Sequence, residues 1–353
     1  MKVEKYLTVI LCALFLLFFC LWCLFVPTPE YSDSERRVLA SFPEFSFETV
    51  KTGEFAREFE EYATDRFPLR DTFRGIKAFD TLYLLQKEES DDLFLKEGHI
   101  SKIEYPLNEE MIDYAADLFG KIREKHFPEN RVFVGVIPDK NRYLDTLKMD
   151  YKALEDLLAE KMPYGTFLSV GENLSLDDYY FTDSHWRQEK ISDLAVKMGK
   201  EMGVEIPSSY TKKTLDIPFY GVYHGQLALP KKPDTIMYLT NETIQSFTVE
   251  GASAVYDLKK AEGKDPYEFF LSGNQPLVKI TNPKNPDGKS LVVFRDSYAS
   301  SLMPLLAQGY SEVIMVDLRY MNSLLLEKFV SFEGSDILFL YSTSILNHAN
   351  SMK

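Results

Sequence analysis

The sequence predicts an α/β fold, a parallel sheet flanked by helices. Four short apolar runs rich in β-branched residues carry that expectation: Arg131–Ile137 (RVFVGVI), Leu291–Phe294 (LVVF), Glu312–Val316 (EVIMV) and Asp336–Tyr341 (DILFLY). The last three are separated by stretches with helical character, 299–308 and 321–329. Strands buried on both faces read as continuous apolar runs, and their alternation with helices marks βαβ units. Buried helices are the weaker alternative, because the runs are shorter than a helix needs.

Each element follows in order. From Tyr6 to Val26 the chain has no charged residue and is nearly all Leu, Phe, Ile, Val, Cys or Trp. A helix of that length spans the roughly 30 Å hydrocarbon core of a bilayer. Lys2 and Lys5 favour the cytoplasmic side, which puts the rest of the chain outside. The exit, Leu24-Phe25-Val26-Pro27-Thr28-Pro29, lacks a small-x-small cleavage site. Neither Cys20 nor Cys23 follows a small residue, so an uncleaved single-pass anchor over 1–26 is expected. All three cysteines, Cys12, Cys20 and Cys23, lie in that anchor. This excludes a disulfide framework and a cysteine nucleophile in the remainder.

Residues 27–45, with Pro27, Pro29 and Pro43, read as a stalk. Phe55, Phe59 and Tyr62 share one side of a helix over Glu54–Phe67, and Asp71 is expected to cap a second helix reaching Leu85. Met111, Ile112, Ala115, Leu118, Phe119 and Ile122 recur with helical spacing over Glu109–His126. The domain expectation is therefore an anchor over 1–26, a stalk and helical segment over 27–90, and an α/β domain over 91–353. Within it, 205–285 is rich in Tyr, Thr, Val and turns, and reads as a β-rich insertion.

Composition narrows the function. The chain has 353 residues, 45% of them hydrophobic, with a net charge of -14. That composition is globular, and the acidic balance argues against a nucleic-acid partner, which needs a basic face.

Two local patterns point to chemistry. Phe294-Arg295-Asp296-Ser297-Tyr298 follows an apolar strand and precedes a helix, placing Ser297 at the carboxyl edge of the sheet, where α/β proteins build their sites. Ser297 is then either a nucleophile or simply a helix N-cap. Tyr180-Phe181-Thr182-Asp183-Ser184-His185-Trp186 sets an acid and a histidine two residues apart. A serine hydroxyl needs a base near neutral pH, an imidazole fits, and a carboxylate fixes its tautomer. The alternatives are an Asp183 cap on a helix over Trp186–Met202, or a metal site. The other histidines, His99, His126, His224 and His348, are scattered singly, which speaks against metal.

Taken together these segments resemble the DHHW-type proteins of the SGNH-hydrolase-like superfamily, the branch that includes bacterial alginate O-acetylation proteins. The resemblance rests on Ser34-Glu35-Arg36-Arg37-Val38-Leu39, Asp65-Arg66-Phe67-Pro68-Leu69-Arg70-Asp71, Ile137-Pro138-Asp139-Lys140-Asn141, Thr182-Asp183-Ser184-His185-Trp186, Arg295-Asp296-Ser297-Tyr298 and Val316-Asp317-Leu318-Arg319-Tyr320. Ser184 stands where the family has its first histidine.

The resemblance implies Ser297 as nucleophile, His185 as general base and Asp183 as its partner. It implies no cofactor. Candidate second oxyanion donors are Asn141, Gly221 and Asn274. Arg319 and Tyr341 are candidate glycan contacts, with a structural role the alternative for both and the favoured one for Tyr341. Lys140 either contacts the site or is a solvated turn lysine. The implied activity is O-acetylation of a cell-surface or secreted polysaccharide, at the outer face of a bacterial cell membrane. The acyl group would come from a multi-pass membrane acyltransferase. A carbohydrate esterase with the same triad and a non-catalytic glycan-binding or assembly subunit are the other readings.

Overall fold

The computed structural model describes residues 2–25, 27 and 29–353. Val26 and Thr28 of the anchor exit lie outside the described residues. The chain divides into two compact units, Met1–Asp91 with Val222–Lys231, and Asp92–Gly221 with Lys232–Lys353.

The first unit begins with helix α1, Lys2–Phe25. Its stretch Lys5–Cys23 is long and apolar enough to cross a membrane. Residues 31–38 form a small antiparallel ladder, Tyr31–Ser32 against Arg37–Val38. Helices α2 (Glu54–Asp65) and α3 (Arg70–Phe79) follow. Asp71 does not cap α3 as expected: the N-cap is Leu69 in a left-handed conformation, and Asp71 sits in the first turn, paired with Arg74. Arg37 grips the Asp65 carboxylate through both terminal nitrogens, at 2.8 and 2.5 Å, and this pairing holds Asp65 down at a pKa of about 2.

The second unit is a seven-stranded sheet with helices on both faces. Its strands are β1 (Val132–Ile137), β2 (Gly165–Leu168), β3 (Thr248–Glu250), β4 (Leu277–Thr281), β5 (Ser290–Arg295), β6 (Glu312–Val316) and β7 (Asp336–Ser342). The order is β3-β4-β6-β5-β7-β1-β2. The five strands from β6 to β2 are parallel, while β4 and β3 run antiparallel to their neighbours on one edge. The final strand enters between β5 and β1. All four apolar runs are strands, and the sheet gains β3 and β4 from the stretch 205–285.

Alternation along each strand builds two cores. Leu291, Val293, Met315 and Leu338 face helices α6 (Ser192–Met202) and α7 (Ala299–Leu306). Val292, Phe294, Ile314 and Phe339 face α4 (Glu109–His126) and α5 (Tyr151–Lys161). Phe119 of α4 stacks on Phe339 with ring centroids 4.3 Å apart. The helix expected over Trp186–Met202 begins only at Ser192, after a single 3-10 turn at Gln188–Lys190, so Asp183 caps no helix. The stretch 321–329 is likewise a 3-10 helix, Ser323–Lys328, not an α-helix.

Candidate functional site

Ser297 is the middle residue of the three-residue turn between β5 and α7. Asp296 shapes that turn. Its buried carboxylate accepts from the Tyr298 backbone N–H at 3.0 Å and from the Ser342 N–H at 2.7 Å. The ends of β5 and β7 are thereby tied together beneath the serine.

The histidine arrives on a separate ribbon. Tyr179 and Trp186 face one another as an antiparallel bridge, the Tyr180 N–H donates to the His185 carbonyl at 3.1 Å, and residues 181–184 form the tip. Three tethers fix it over the turn. The Trp186 indole N–H donates to the Tyr298 carbonyl at 3.0 Å and to Ser301 Oγ at 2.9 Å. The Tyr298 hydroxyl donates to the Ser184 carbonyl at 2.7 Å.

This brings the three residues into one chain of contacts. His185 Nε2 lies 2.8 Å from Ser297 Oγ, and His185 Nδ1 lies 2.5 Å from Asp183 Oδ1. The same Asp183 oxygen accepts the His185 backbone N–H at 3.1 Å, which is how two residues so close in sequence turn toward one point. Asp183 is fully buried. Ser184, in the place of the family's first histidine, approaches His185 Nδ1 only at 3.5 Å and takes no place in the chain. With an acceptor nitrogen on the hydroxyl and a carboxylate on the other ring nitrogen, the arrangement can deprotonate Ser297 and hold the resulting imidazolium.

The other candidate residues are placed differently. Asn141 is buried and committed: its side-chain amide donates to the Lys102 carbonyl, its oxygen accepts from Ser101 at 2.6 Å, and its backbone N–H donates to Asp139 at 2.8 Å. The Gly221 N–H donates to Thr182 Oγ1 at 2.9 Å. Neither is an available oxyanion donor. Gly221 acts through its missing side chain, because a Cβ there would lie 2.4 Å from Asp183 Cα. Asn274 is exposed in the turn before β4. Arg319 is not an open glycan contact: it forms a two-pronged pair with buried Asp317, at 2.9 and 2.6 Å. Tyr341 is no rim residue. It is 1% exposed, its ring stacks on Phe119 at 5.4 Å, and its burial keeps the phenol neutral.

Two residues that the sequence left unassigned, Tyr267 and Asp234, and Lys140, whose role it left open, shape the site. Tyr267 lies flat on the His185 ring and donates its hydroxyl to Ser301 Oγ at 2.9 Å. Lys140 is no solvated turn lysine. It is 1% exposed, and its ammonium donates to the carbonyls of Ile100, Tyr180 and Phe181. Burial pushes its pKa down to about 7. Asp234 accepts from the N–H groups of Phe181 and Thr182 at 2.9 and 2.7 Å. Among the described residues there is no cluster of three His, Cys, Asp or Glu side chains that could hold a metal ion.

No protein-family profile matches the chain, and no curated protein matches it. Solved structures do resemble it. A DHHW family protein from Eubacterium siraeum has a TM-score of 0.62 at 20% identity, over 74% of this chain and 94% of that one. Bacillus cereus PatB1, with a sulfonyl adduct, has a TM-score of 0.56 at 18% identity, over 72% of this chain and 95% of that one. At such identities the likeness is one of fold. The chain shares the fold of these structures, a mixed α/β fold with a large, mostly parallel sheet flanked by helices, as its resemblance to DHHW-type proteins implies.

Proposed function

We propose that this chain is a membrane-anchored, extracytoplasmic O-acetyltransferase that modifies a cell-surface or secreted polysaccharide. The observation that carries the proposal is the unbroken contact chain from Asp183 through His185 to Ser297. The resemblance to O-acetylation proteins supplies the substrate class, and α1 supplies the anchor.

The reaction is a two-step relay. Ser297 Oγ attacks the acetyl carbonyl of the donor while its proton passes to His185 Nε2. The tetrahedral adduct collapses, the donor leaves with that proton, and an acetyl-serine remains. A glycan hydroxyl then attacks the acetyl carbonyl and gives its proton to His185. The Ser297 oxygen leaves and takes the proton back. Asp183 holds the imidazole in the required tautomer and stabilises the imidazolium formed in each step. The positive end of α7, which starts two residues after Ser297, favours negative charge on the attacked oxygen. A multi-pass membrane acyltransferase would deliver the acetyl group.

The test gives the full-length protein an activated acetyl ester together with one oligosaccharide, supplied in acetylated and unacetylated forms. Net acetyl gain on the unacetylated sugar is the expected result. Acetyl loss from the acetylated sugar, with no gain, makes the protein an esterase instead. Ser297 is acylated in both cases, so acceptor choice alone separates them.

A further inference from the structure

We infer that Lys140 and Asp234 are positioning residues that clamp the ribbon carrying Asp183 and His185 from opposite sides. The inference rests on the proposed roles of those two residues and goes beyond them to what holds them in register with Ser297.

The argument is a balance of backbone groups. The segment Tyr180-Phe181-Thr182 leads directly into Asp183 and leaves its regular pairing at the ribbon tip. Its buried donors and acceptors therefore need partners from elsewhere. The acceptors turn toward one cation: Lys140 Nζ lies 2.8 Å from the Tyr180 carbonyl and 3.4 Å from that of Phe181, which the Ile100 N–H also bonds at 2.8 Å. The Tyr180 N–H stays paired with the His185 carbonyl, and the two donors after it go to one anion: Asp234 takes the Phe181 N–H on one oxygen and the Thr182 N–H on the other. It also takes the Thr182 hydroxyl at 2.6 Å. Thr182 Oγ1 in turn accepts from Gly221, so the clamp extends to the glycine that packs on Asp183.

Each arm is anchored independently of the ribbon. Lys140 follows β1 and its ammonium also holds the Ile100 carbonyl at 2.6 Å. Asp234 exchanges both backbone hydrogen bonds with Phe219. Both side chains are less than a tenth exposed. A buried cation or anion is expensive unless compensated, and here each stands near the other, with Asp183 also close to Lys140. Charge-assisted bonds of this kind are stronger and more directional than neutral ones, which suits a ribbon that must place Nε2 within bonding distance of a hydroxyl on another element.

The test compares Lys140→Met and Asp234→Asn in the full-length protein, with Arg131→Met as a control. Arg131 pairs with Asp336 at the far end of the sheet, so its loss costs stability without touching the ribbon. Two readouts are taken on folded samples. One is the rate at which phenylmethylsulfonyl fluoride modifies Ser297, a step in which the Oγ–S bond forms, fluoride leaves and His185 takes the proton. The other is the downfield NMR resonance of the His185 Nδ1 proton held by Asp183. The expected result is a loss of about 10²-fold in rate in both clamp variants, as for a roughly 1 Å misplacement, with the downfield proton shifted or lost. The control should keep both. Asp234→Asn preserves shape and decides the matter should Lys140→Met fail to fold. Wild-type rates and an unshifted proton in Asp234→Asn would overturn the clamp. A wild-type protein that resists the reagent would instead overturn the nucleophile role of Ser297, and the downfield proton would still report on the clamp.

Discussion

The ring of Tyr267 lies on the ring of His185, with centroids 3.8 Å apart and planes 14° from parallel. An imidazole that becomes a cation during the reaction gains from an aromatic face, by roughly 0.5–2 kcal/mol. Tyr267→Leu should therefore lower the acylation rate about 10-fold. Tyr267→Phe keeps the face, loses only the bond to Ser301, and should stay within a few-fold of wild type. Steady-state ester turnover of the two variants separates stacking from hydrogen bonding.

Gly221 tests the geometry from another side. A methyl group there meets the Thr182 carbonyl at 2.3 Å and Asp183 Cβ at 2.4 Å, both on the ribbon that carries the acid. Gly221→Ala should push that ribbon off Ser297 and cost about 10²-fold in acylation. The turnover number, measured on protein that melts cooperatively, checks it.

Asp317 carries a stability prediction. It is fully buried, accepts both prongs of Arg319, and lies 3.7 Å from fully buried Arg295. Asp317→Ala strands Arg295 without its countercharge and should destabilise the fold by about 3–5 kcal/mol. Arg319 is partly exposed, and Arg319→Ala leaves Arg295 and Asp317 paired, so its cost should be clearly smaller. Denaturant unfolding of the two variants gives the comparison.

His99 sets a pH dependence. It is buried against Phe181, with ring centroids 4.4 Å apart. Burial, aided by the Lys140 charge, lowers its pKa to about 4. The unfolded chain takes the proton near 6.5, the folded one only near 4. Its stability contribution is therefore full above about pH 6.5 and is lost as pH falls toward 4. His99→Phe keeps the ring contact and should flatten the fall in melting temperature over that window.

Much of this was legible because it is local. The parallel strands announce themselves as apolar runs, and the acid–histidine pair and the serine each sit in a short motif. Part of what escaped depends on partners distant in sequence. Lys140 looks like a turn lysine until the ribbon at 180–181 folds over it. Asp234 has no local signal at all. Arg319 looks like a free cation past a strand, yet Asp317, two residues earlier, folds back to bind it. Tyr341 ends its apolar run on the side of the sheet that α4 covers. Strand β2 was missed because its four residues are only partly buried at an edge.

The most direct test of the central claim is the intact mass of the full-length protein after exposure to an activated acetyl ester, beside Ser297→Ala and His185→Ala. One acetyl adduct on the wild-type chain, absent from both variants, is the predicted result, with turnover reduced on the order of 10⁶-fold in Ser297→Ala. An adduct that persists in folded Ser297→Ala, or a folded wild-type protein that takes none, would contradict it.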